Sequence, residues 1–354
     1  MSQFFSEKYS GLTPYVPGEQ PQDMQYVKLN TNESPFPPSP IAQRLARQAA
    51  GDLQLYSDPD VKQLAAAVAE YYDVKTSEIM FSNGSDDILN FAFMAFCDDR
   101  HPAAFADITY GFYSVFAEQN RVPYSVIPLN EDFTLDYKQY CSIDKTIFIA
   151  NPNAPTGIAL SRDQLETIIA SNPNSVIVID EAYVDFGAES CVPLIHKYNN
   201  LLVVQTFSKS RSLAGGRLGM AFACEELIQD LNTLRYSTNP YNVNRMTMAA
   251  GIGAITDKQY FDSCRTTVMQ NRKYTTEMLE KMGFEVLPSS SNFVFAKHPS
   301  ISGLDLYKQL KASGVLVRHF ETDRLKDFNR ITIGNKEQMD IFLSTVKTIL
   351  EAVK

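Results

Sequence analysis

The sequence lacks the features on which several large classes of protein depend. Its net charge of −9 leaves no basic excess for binding nucleic acid. No segment approaches the roughly 20 consecutive apolar residues that cross a bilayer, and the amino terminus has no basic start followed by an apolar stretch. No G-x-G-x-x-G follows the start of a predicted strand, which disfavours a dinucleotide-binding fold. We therefore expect a cytoplasmic protein that binds neither nucleic acid nor membranes.

Cysteine and histidine are scarce, and neither is arranged for a metal. The five cysteines are scattered and form no C-x-x-C pair, which disfavours a disulfide framework or a thiolate site. The four histidines lack the spacing of metal ligands. These residues are Cys97, Cys141, Cys191, Cys224, Cys264, His101, His196, His298 and His319. We expect reduced cysteines, structural or surface histidines and no bound metal.

The chemistry that is present centres on Lys209. This lysine follows an apolar run (residues 201–204), stands among the hydroxyl residues Thr206 and Ser208, and precedes a Gly-Gly pair and Arg217. Such a position is unusual for a solvated surface charge. The pattern therefore indicates a lysine with a chemical role.

A second group of reactive residues lies upstream, after the apolar run 176–179. Asp180 and Tyr183 follow this run, which is typical of a buried parallel strand. In open α/β sheets, ligands bind beyond the carboxyl ends of the strands. An amine, a carboxylate, a phenol, hydroxyls and an arginine at one such edge match the needs of pyridoxal 5′-phosphate (PLP). In that match Lys209 forms a Schiff base and Asp180 pairs with the ring nitrogen. Tyr183 hydrogen-bonds the ring oxygen, while the hydroxyls and Arg217 hold the phosphate.

Three segments resemble signature blocks of the fold-type I PLP-dependent aminotransferases. They are Asn-Pro-Asn-Ala-Pro-Thr-Gly at 151–157, Asp-Glu-Ala-Tyr at 180–183, and Ser208-Lys209 followed by Arg217. Within that family the chain is most similar to the histidinol-phosphate aminotransferases. The resemblance implies an α/β fold of the fold-type I PLP-dependent transferases. Its large domain would contain a mostly parallel seven-stranded sheet, and a small C-terminal α+β domain would follow.

The composition of the sequence also changes between an arm, a large domain and a small domain. We predict an N-terminal arm at 1–40, which is rich in proline and glycine, a large PLP-binding domain at 41–255 and a small C-terminal domain at 256–354. A long helix from about Lys258 to Met282 would bridge the two domains. We also expect Asp60 to cap one helix, and Ser161 with Gln164 to open another through a capping box.

The resemblance assigns further cofactor contacts. Gly84, Ser85 and Asp86 begin a helix whose free N–H groups favour a phosphate. Tyr110 lines up with the aromatic residue that stacks on the pyridine ring. Tyr56 would contact the cofactor phosphate across the interface of a homodimer.

One cofactor contact departs from the common pattern. Where many relatives have asparagine immediately before Pro-Thr-Gly, this chain has Ala154, which cannot hydrogen-bond the ring oxygen. Either Asn153 substitutes, or the contact falls to Tyr183 alone.

The substrate contacts are also implied by the resemblance. Arg330 matches the family's carboxylate-binding arginine, and Arg318 matches a second anion contact. From the arm, Tyr15 would reach into a neighbouring subunit's active site, and Asn32 would contact the substrate. Two arginines and a phenol can accept a phosphate or a carboxylate in one pocket.

These assignments imply an enzyme. The expected reaction is transamination between L-histidinol phosphate and 2-oxoglutarate, giving imidazole-acetol phosphate and L-glutamate, in histidine biosynthesis. Lys209, once displaced by the amino donor, would act as general acid and base. An aromatic amino-acid aminotransferase shares every cofactor residue and remains an alternative. So does a PLP-dependent amino-acid-phosphate decarboxylase, which would release carbon dioxide. A non-catalytic PLP-fold binding protein is disfavoured because lysine, acid and tyrosine are all present.

Overall fold

The amino-terminal segment packs against the carboxyl-terminal part of the chain. In the computed structural model, which describes residues 2–353, Glu7–Tyr9 form one turn of 3₁₀ helix and residues 10–26 have no regular helix or strand. Strand β1 (Val27–Lys28) then pairs in parallel with residues 315–316, and Leu29 is buried in the small domain's core. The prolines of the arm lack an N–H and so favour this extended path.

A seven-stranded sheet lies at the centre of the large domain. Its strands are β2 (Ile79–Ser82), β3 (Ala103–Ala106), β4 (Tyr124–Ile127), β5 (Thr146–Ala150), β6 (Ile177–Asp180), β7 (Leu201–Thr206) and β8 (Gly219–Phe222). The order is β2-β8-β7-β6-β5-β3-β4, and only β8 runs antiparallel to its neighbours. Every residue of β5, β6 and β7 is buried, as expected of parallel strands covered on both faces. The predicted seven-stranded, mostly parallel sheet is confirmed.

Helices cover both faces of this sheet. They are α1 (Pro40–Ala49), α2 (Lys62–Tyr72), α3 (Ser85–Phe96), α4 (Phe112–Asn120), α5 (Arg162–Ser171), α6 (Glu225–Thr238) and α7 (Arg245–Thr256). Successive residues of a strand point to opposite faces. Accordingly, Ile177 and Ile179 of β6 join the core beneath α1, α2, α5 and α7, whereas Val178 joins the core beneath α3, α4 and α6. Each such buried side chain contributes about 1.5–3 kcal/mol of hydrophobic stabilisation.

The ends of two helices test local predictions. The expected capping box at α5 is confirmed, because Ser161 Oγ accepts from the Gln164 N–H and the Gln164 side chain accepts from the Ser161 N–H. At α2 the expected cap was wrong. Val61 adopts a left-handed conformation there, and Asp58 rather than Asp60 accepts the Lys62 N–H, at 2.9 Å.

The small domain combines an antiparallel sheet with three helices. Its elements are α8 (Lys258–Lys281), β9 (Glu285–Val286), β10 (Phe293–Lys297), α9 (Gly303–Ala312), β11 (Val315–Leu316), β12 (Arg318–His319), β13 (Asn329–Thr332) and α10 (Lys336–Val353). The sheet order is β12-β13-β10-β9. Within residues 2–353 no helix is both long and apolar enough to cross a membrane. The ends of β5, β6 and β7 face β12 and β13 across two adjoining cavities.

Candidate active site

Two adjoining cavities lie between the large sheet and the small domain. The inner chamber, of about 460 Å³, is closed by the ends of β5, β6 and β7. The outer chamber, of about 690 Å³, extends to β12, β13 and the arm. Both are lined by Thr31, Asp86, Tyr110, Ala154, Tyr183, Lys209 and Arg217. The shared lining makes them two parts of one site.

A buried carboxylate forms one wall of the inner chamber. Asp180, the last residue of β6, accepts hydrogen bonds from the Tyr113 hydroxyl at 3.0 Å and the Ala182 N–H at 3.2 Å. Burial raises the pKa of Asp180 to about 6. The neighbouring Glu181 is not part of this wall and instead accepts from Ser190 and Gln205. Asp180 is therefore the carboxylate of this segment that can meet a ligand in the chamber.

Lys209 lies opposite, just beyond the end of β7. Its Nζ donates to the carbonyl oxygen of Thr31 at 3.4 Å and stands 5.7 Å from the centre of the Tyr183 ring. The Tyr183 hydroxyl accepts from Asn32 Nδ2 at 2.9 Å, which leaves its own hydrogen free to donate. An amine, a phenol and a carboxylate thus share one chamber.

The far end of the inner chamber collects groups suited to a phosphate. Gly84 precedes α3 with φ +88°, and Ser85, the first residue of the helix, lines the chamber, so the free N–H groups of the first turn begin at its wall. A side chain at Gly84 would stand 2.5 Å from Arg217 Nη2, so the guanidinium needs the absence of a Cβ there. Thr206 and Ser208 add hydroxyls 3.0 Å apart.

In this region Arg217 and Tyr110 both donate hydrogen bonds to the carboxylate of Asp86. Arg217 Nη2 donates to Asp86 Oδ2 at 3.0 Å, and the Tyr110 hydroxyl donates to Asp86 Oδ1 at 2.7 Å. These bonds fix the Tyr110 ring in the wall of both chambers. An entering anion would compete with Asp86 for the guanidinium.

The wall of the outer chamber contains a half-buried arginine, Arg330, that has no carboxylate partner in the described part of the chain. The Arg330 guanidinium lies between the rings of Phe293 and Phe320, at 5.3 and 5.7 Å from their centres. Its Nη2 donates to the Asn30 carbonyl at 3.0 Å, while its buried Nε has no hydrogen-bond partner within residues 2–353. Burial lowers the pKa of Arg330 from its ordinary value. Arg318, the cross-strand partner of Arg330, lies 5.5 Å from the centre of the same Phe320 ring.

The arm contributes Tyr15 and Asn32 to the same chain's chamber. Tyr15 stacks on Phe112, with ring centres 4.1 Å apart, in the wall of the outer chamber. Within its own chain Tyr15 thus lines the outer chamber, and its contact with a neighbouring subunit stays a prediction. Asn32 lies in the outer-chamber wall, where its Oδ1 also accepts from Thr332 Oγ1.

Two predicted cofactor residues lie outside both chambers. The Asn153 side-chain amide donates to the Ile108 carbonyl and to Thr156 Oγ1, at 3.0 and 3.1 Å, so it is turned into the wall. Its neighbour Ala154 lines the chambers instead. Tyr56 is 80% exposed and stacks on Tyr241, away from the site of its own chain.

Sequence reasoning missed Tyr113, the phenol that holds Asp180. Tyr113 is fully buried and lies in the first turn of α4, three residues after Tyr110, so its place in an aromatic run near a strand end was the one signal. Its partner was not visible because the two residues are 67 positions apart. Phe320, whose ring centre lies 5.5 Å from Arg318 and 5.7 Å from Arg330, was likewise missed.

The sequence matches the family described as aminotransferase class I and II over residues 24–346. It is 50% identical over 353 residues to the histidinol-phosphate aminotransferase of Brachyspira hyodysenteriae, covering 99% of this chain and 100% of that protein. It is 44% identical over 351 residues to the histidinol-phosphate aminotransferase of Clostridium beijerinckii, covering 99% and 98%.

Solved structures share the fold. The histidinol-phosphate aminotransferase from Sinorhizobium meliloti, solved in complex with pyridoxal-5′-phosphate, matches with a TM-score of 0.92 at 22% identity, covering 100% of this chain and 99% of that one. At 22% identity the structural similarity shows the fold alone. The full-length matches above 40% identity show the family. The chain belongs to the class I and II aminotransferases and, within them, to the histidinol-phosphate aminotransferases.

Proposed function

We propose that this chain transfers the amino group of L-histidinol phosphate to 2-oxoglutarate, giving imidazole-acetol phosphate and L-glutamate, with PLP in the inner chamber. The observation that carries the proposal is Arg330, a half-buried cation in the wall of the outer chamber that has no carboxylate partner within residues 2–353. Partial desolvation of a cation is costly unless an anion meets it. Both substrates are anions.

The inner chamber fits PLP by the chemistry of its donors. Its phosphate end offers the start of α3, two hydroxyls and Arg217, which suit a dianion. The other end offers the buried Asp180 for a protonated ring nitrogen. Lys209 and the Tyr110 ring lie in the same wall. When bound, PLP supplies an aldehyde that takes up amines and a ring that withdraws electrons from the substrate.

Three residues of the chain would have separate roles in the reaction. Asp180, oriented by Tyr113, holds the proton on the ring nitrogen. Lys209 would take the proton from the substrate Cα as general base and, as general acid, deliver it to the carbon that carries the aldehyde in PLP. The Tyr183 hydroxyl holds the ring oxygen alone, since Ala154 has no donor and Asn153 faces away.

The outer chamber suits two different anions in turn. Arg330 and Arg318 both lie near Phe320, and Tyr15 of the arm lines the same cavity, so three donor residues share one chamber. Histidinol phosphate offers a phosphate there and glutamate a carboxylate. A charge-assisted hydrogen bond to either is worth about 1.5–3 kcal/mol. One set of donors can therefore serve both halves of the reaction.

The decisive experiment is a single-turnover measurement on the purified holoenzyme. The PLP form is mixed in turn with L-histidinol phosphate, L-glutamate and L-phenylalanine, and the absorbance of the bound cofactor is followed. Rapid change with the first two and slow change with phenylalanine supports the proposal. Preference for phenylalanine would favour an aromatic aminotransferase, and release of carbon dioxide would indicate a decarboxylase.

We also propose that the active enzyme is a homodimer in which Tyr56 contacts the cofactor phosphate of the partner subunit. Its 80% exposure and its stacking on Tyr241 leave the hydroxyl-bearing ring at the surface of its own chain. Mixing Lys209→Ala subunits with Tyr56→Ala subunits tests this. In a shared-site dimer, one of the two sites in each mixed dimer is intact and activity reappears. If mixing restores nothing while mixed dimers form, the shared site is wrong.

A further inference from the structure

Glu33 is a second carboxylate that shares the inner chamber with Lys209 and Asp180. It lines the inner chamber together with Lys209, and it also lines a rear cavity of about 410 Å³ with Lys28 and Ser208. Its side chain is partly buried, and Oε2 accepts hydrogen bonds from Lys28 Nζ and Thr31 Oγ1, each at 2.6 Å. Glu33 and Lys28 thus form an ion pair in the partition between the two cavities.

Thr31 connects this ion pair to Lys209. Its hydroxyl donates to Glu33, and its carbonyl oxygen accepts from Lys209 Nζ at 3.4 Å. Burial alone would raise the pKa of Glu33. The hydrogen bonds from Lys28 and Thr31 and the charges of Lys28 and Lys209 hold it below its ordinary value. Glu33 therefore stays ionised beside the lysine.

The other charged groups that face Lys209 are already engaged. Asp86 is held by Arg217 and Tyr110, and Asp180 by Tyr113. In the proposed holoenzyme, Asp180 pairs with the ring nitrogen of the cofactor and Arg217 binds the phosphate. Among the remaining groups, Tyr183 is a phenol, and the cations Arg318 and Arg330 point to the substrate anion. Glu33 is the carboxylate left to act on the amine.

We propose that Glu33 and Lys28 form a balanced charge pair that sets the protonation of the Lys209 amine, with Glu33 favouring the ammonium and Lys28 limiting that effect. The inference rests on the proposed role of Lys209 as acid and base. A group that must take up and release a proton works best when its pKa lies near the working pH. Glu33 and Lys28 are positioning residues here, since they act through Lys209.

The sign of each substitution is fixed by this arrangement. Glu33→Gln removes the negative charge but keeps an oxygen for Lys28 and Thr31, so the midpoint pH of Lys209 acetylation should fall. Lys28→Met leaves Glu33 uncompensated, so that midpoint should rise. Glu33→Asp retains the charge and should remain near the wild type. Lys75→Met, which breaks a similar Lys–Glu pair on the surface, is the matched control and should change nothing.

The midpoint pH of Lys209 acetylation is measured on the full-length chain freed of cofactor. The rate of acetylation of Lys209 by acetic anhydride is followed against pH by peptide mass spectrometry. A second readout is the pH titration of the absorbance of PLP bound to the holoenzyme. Opposite shifts in Glu33→Gln and Lys28→Met support the proposal. Shifts of the same sign, or none in either variant, overturn it. A chain that takes up no PLP would refute the proposed function, whereas the acetylation profile would still decide this inference.

Discussion

Replacing Arg330 with lysine is the most direct test of the outer chamber. The guanidinium is fixed between Phe293 and Phe320 and is tied to the Asn30 carbonyl through Nη2. Nη1 and the second N–H of Nη2 remain as a parallel pair of donors for an anion. An ammonium would keep the positive charge but would lose the planar fork that makes two bonds at once.

The size of the effect follows from the bonds lost. Each charge-assisted hydrogen bond is worth about 1.5–3 kcal/mol, and lysine should retain about one of the two. Since about 1.4 kcal/mol is a factor of ten, kcat/KM should fall roughly 10- to 150-fold. Arg330→Gln loses the charge as well, and two such bonds correspond to a loss of roughly 10²- to 10⁴-fold. Both substrates should be affected, because both present an anion to the same arginine.

The assay is the single-turnover reaction of the holoenzyme with L-histidinol phosphate and, separately, with L-glutamate. Arg47→Lys, an exposed arginine on α1, provides the matched control and should react like the wild type. PLP content, measured after dialysis, should be unchanged in Arg330→Lys. A loss below threefold with both substrates would refute the reasoning. So would a defect explained by lost cofactor alone.

The remaining predictions concern the cofactor residues and the arm. Lys209→Ala should abolish turnover yet retain PLP through Asp180 and the phosphate donors, and a substantial residual rate in single turnover would contradict its role. Burial raises the pKa of Asp180 to about 6, so its carboxyl group becomes neutral below that pH and can no longer pair with a cationic ring. PLP uptake by the cofactor-free chain should therefore weaken as pH falls below about 6. The Asp180→Asn variant should bind PLP more weakly at every pH and should not show this decline. Identical pH profiles for the two proteins would argue against the pairing. Glu19 accepts hydrogen bonds from Tyr307 and Lys311 of α9 and so holds the arm beside the outer chamber. The Glu19–Lys311 ion pair is about one-third exposed and contributes up to about 1 kcal/mol. Glu19→Gln should therefore raise KM up to about fivefold with little change in kcat, and should speed proteolysis within the arm. An unchanged KM and cleavage rate would contradict this role.

The inner chamber was largely predictable because it is built from strand ends. Asp180, Tyr183, Thr206 and Lys209 each follow an apolar run, and the carboxyl ends of parallel neighbours meet at one edge of the sheet. Their shared location could be inferred from chain order alone. Their catalytic roles stay predictions until the variants are measured.

Other features depended on the path of the chain in three dimensions. The direction of the Asn153 amide is set by Ile108, which is 45 residues away, so no local pattern revealed that it faces the wall. Tyr15 lies in an arm without regular structure, whose course is fixed by contacts with Phe112 and the small domain. The cap of α2 failed for a conformational reason, since the left-handed Val61 shifts the acceptor from Asp60 to Asp58.

The antiparallel strand β8 has a consequence for how such an enzyme can diversify. Lys209 and Arg217 lie on the single connection between the paired strands β7 and β8, so the distance between these two residues is locked to the register of the central sheet. Arg318 and Arg330, by contrast, belong to the separate four-stranded sheet, on the neighbouring strands β12 and β13. Substitutions in that second sheet can change which anion is accepted without disturbing the reactive lysine. The fold thus allows substrate preference to evolve independently of the chemistry, and a relative with another amino donor needs to differ chiefly in residues 315–332 and in the arm that covers them.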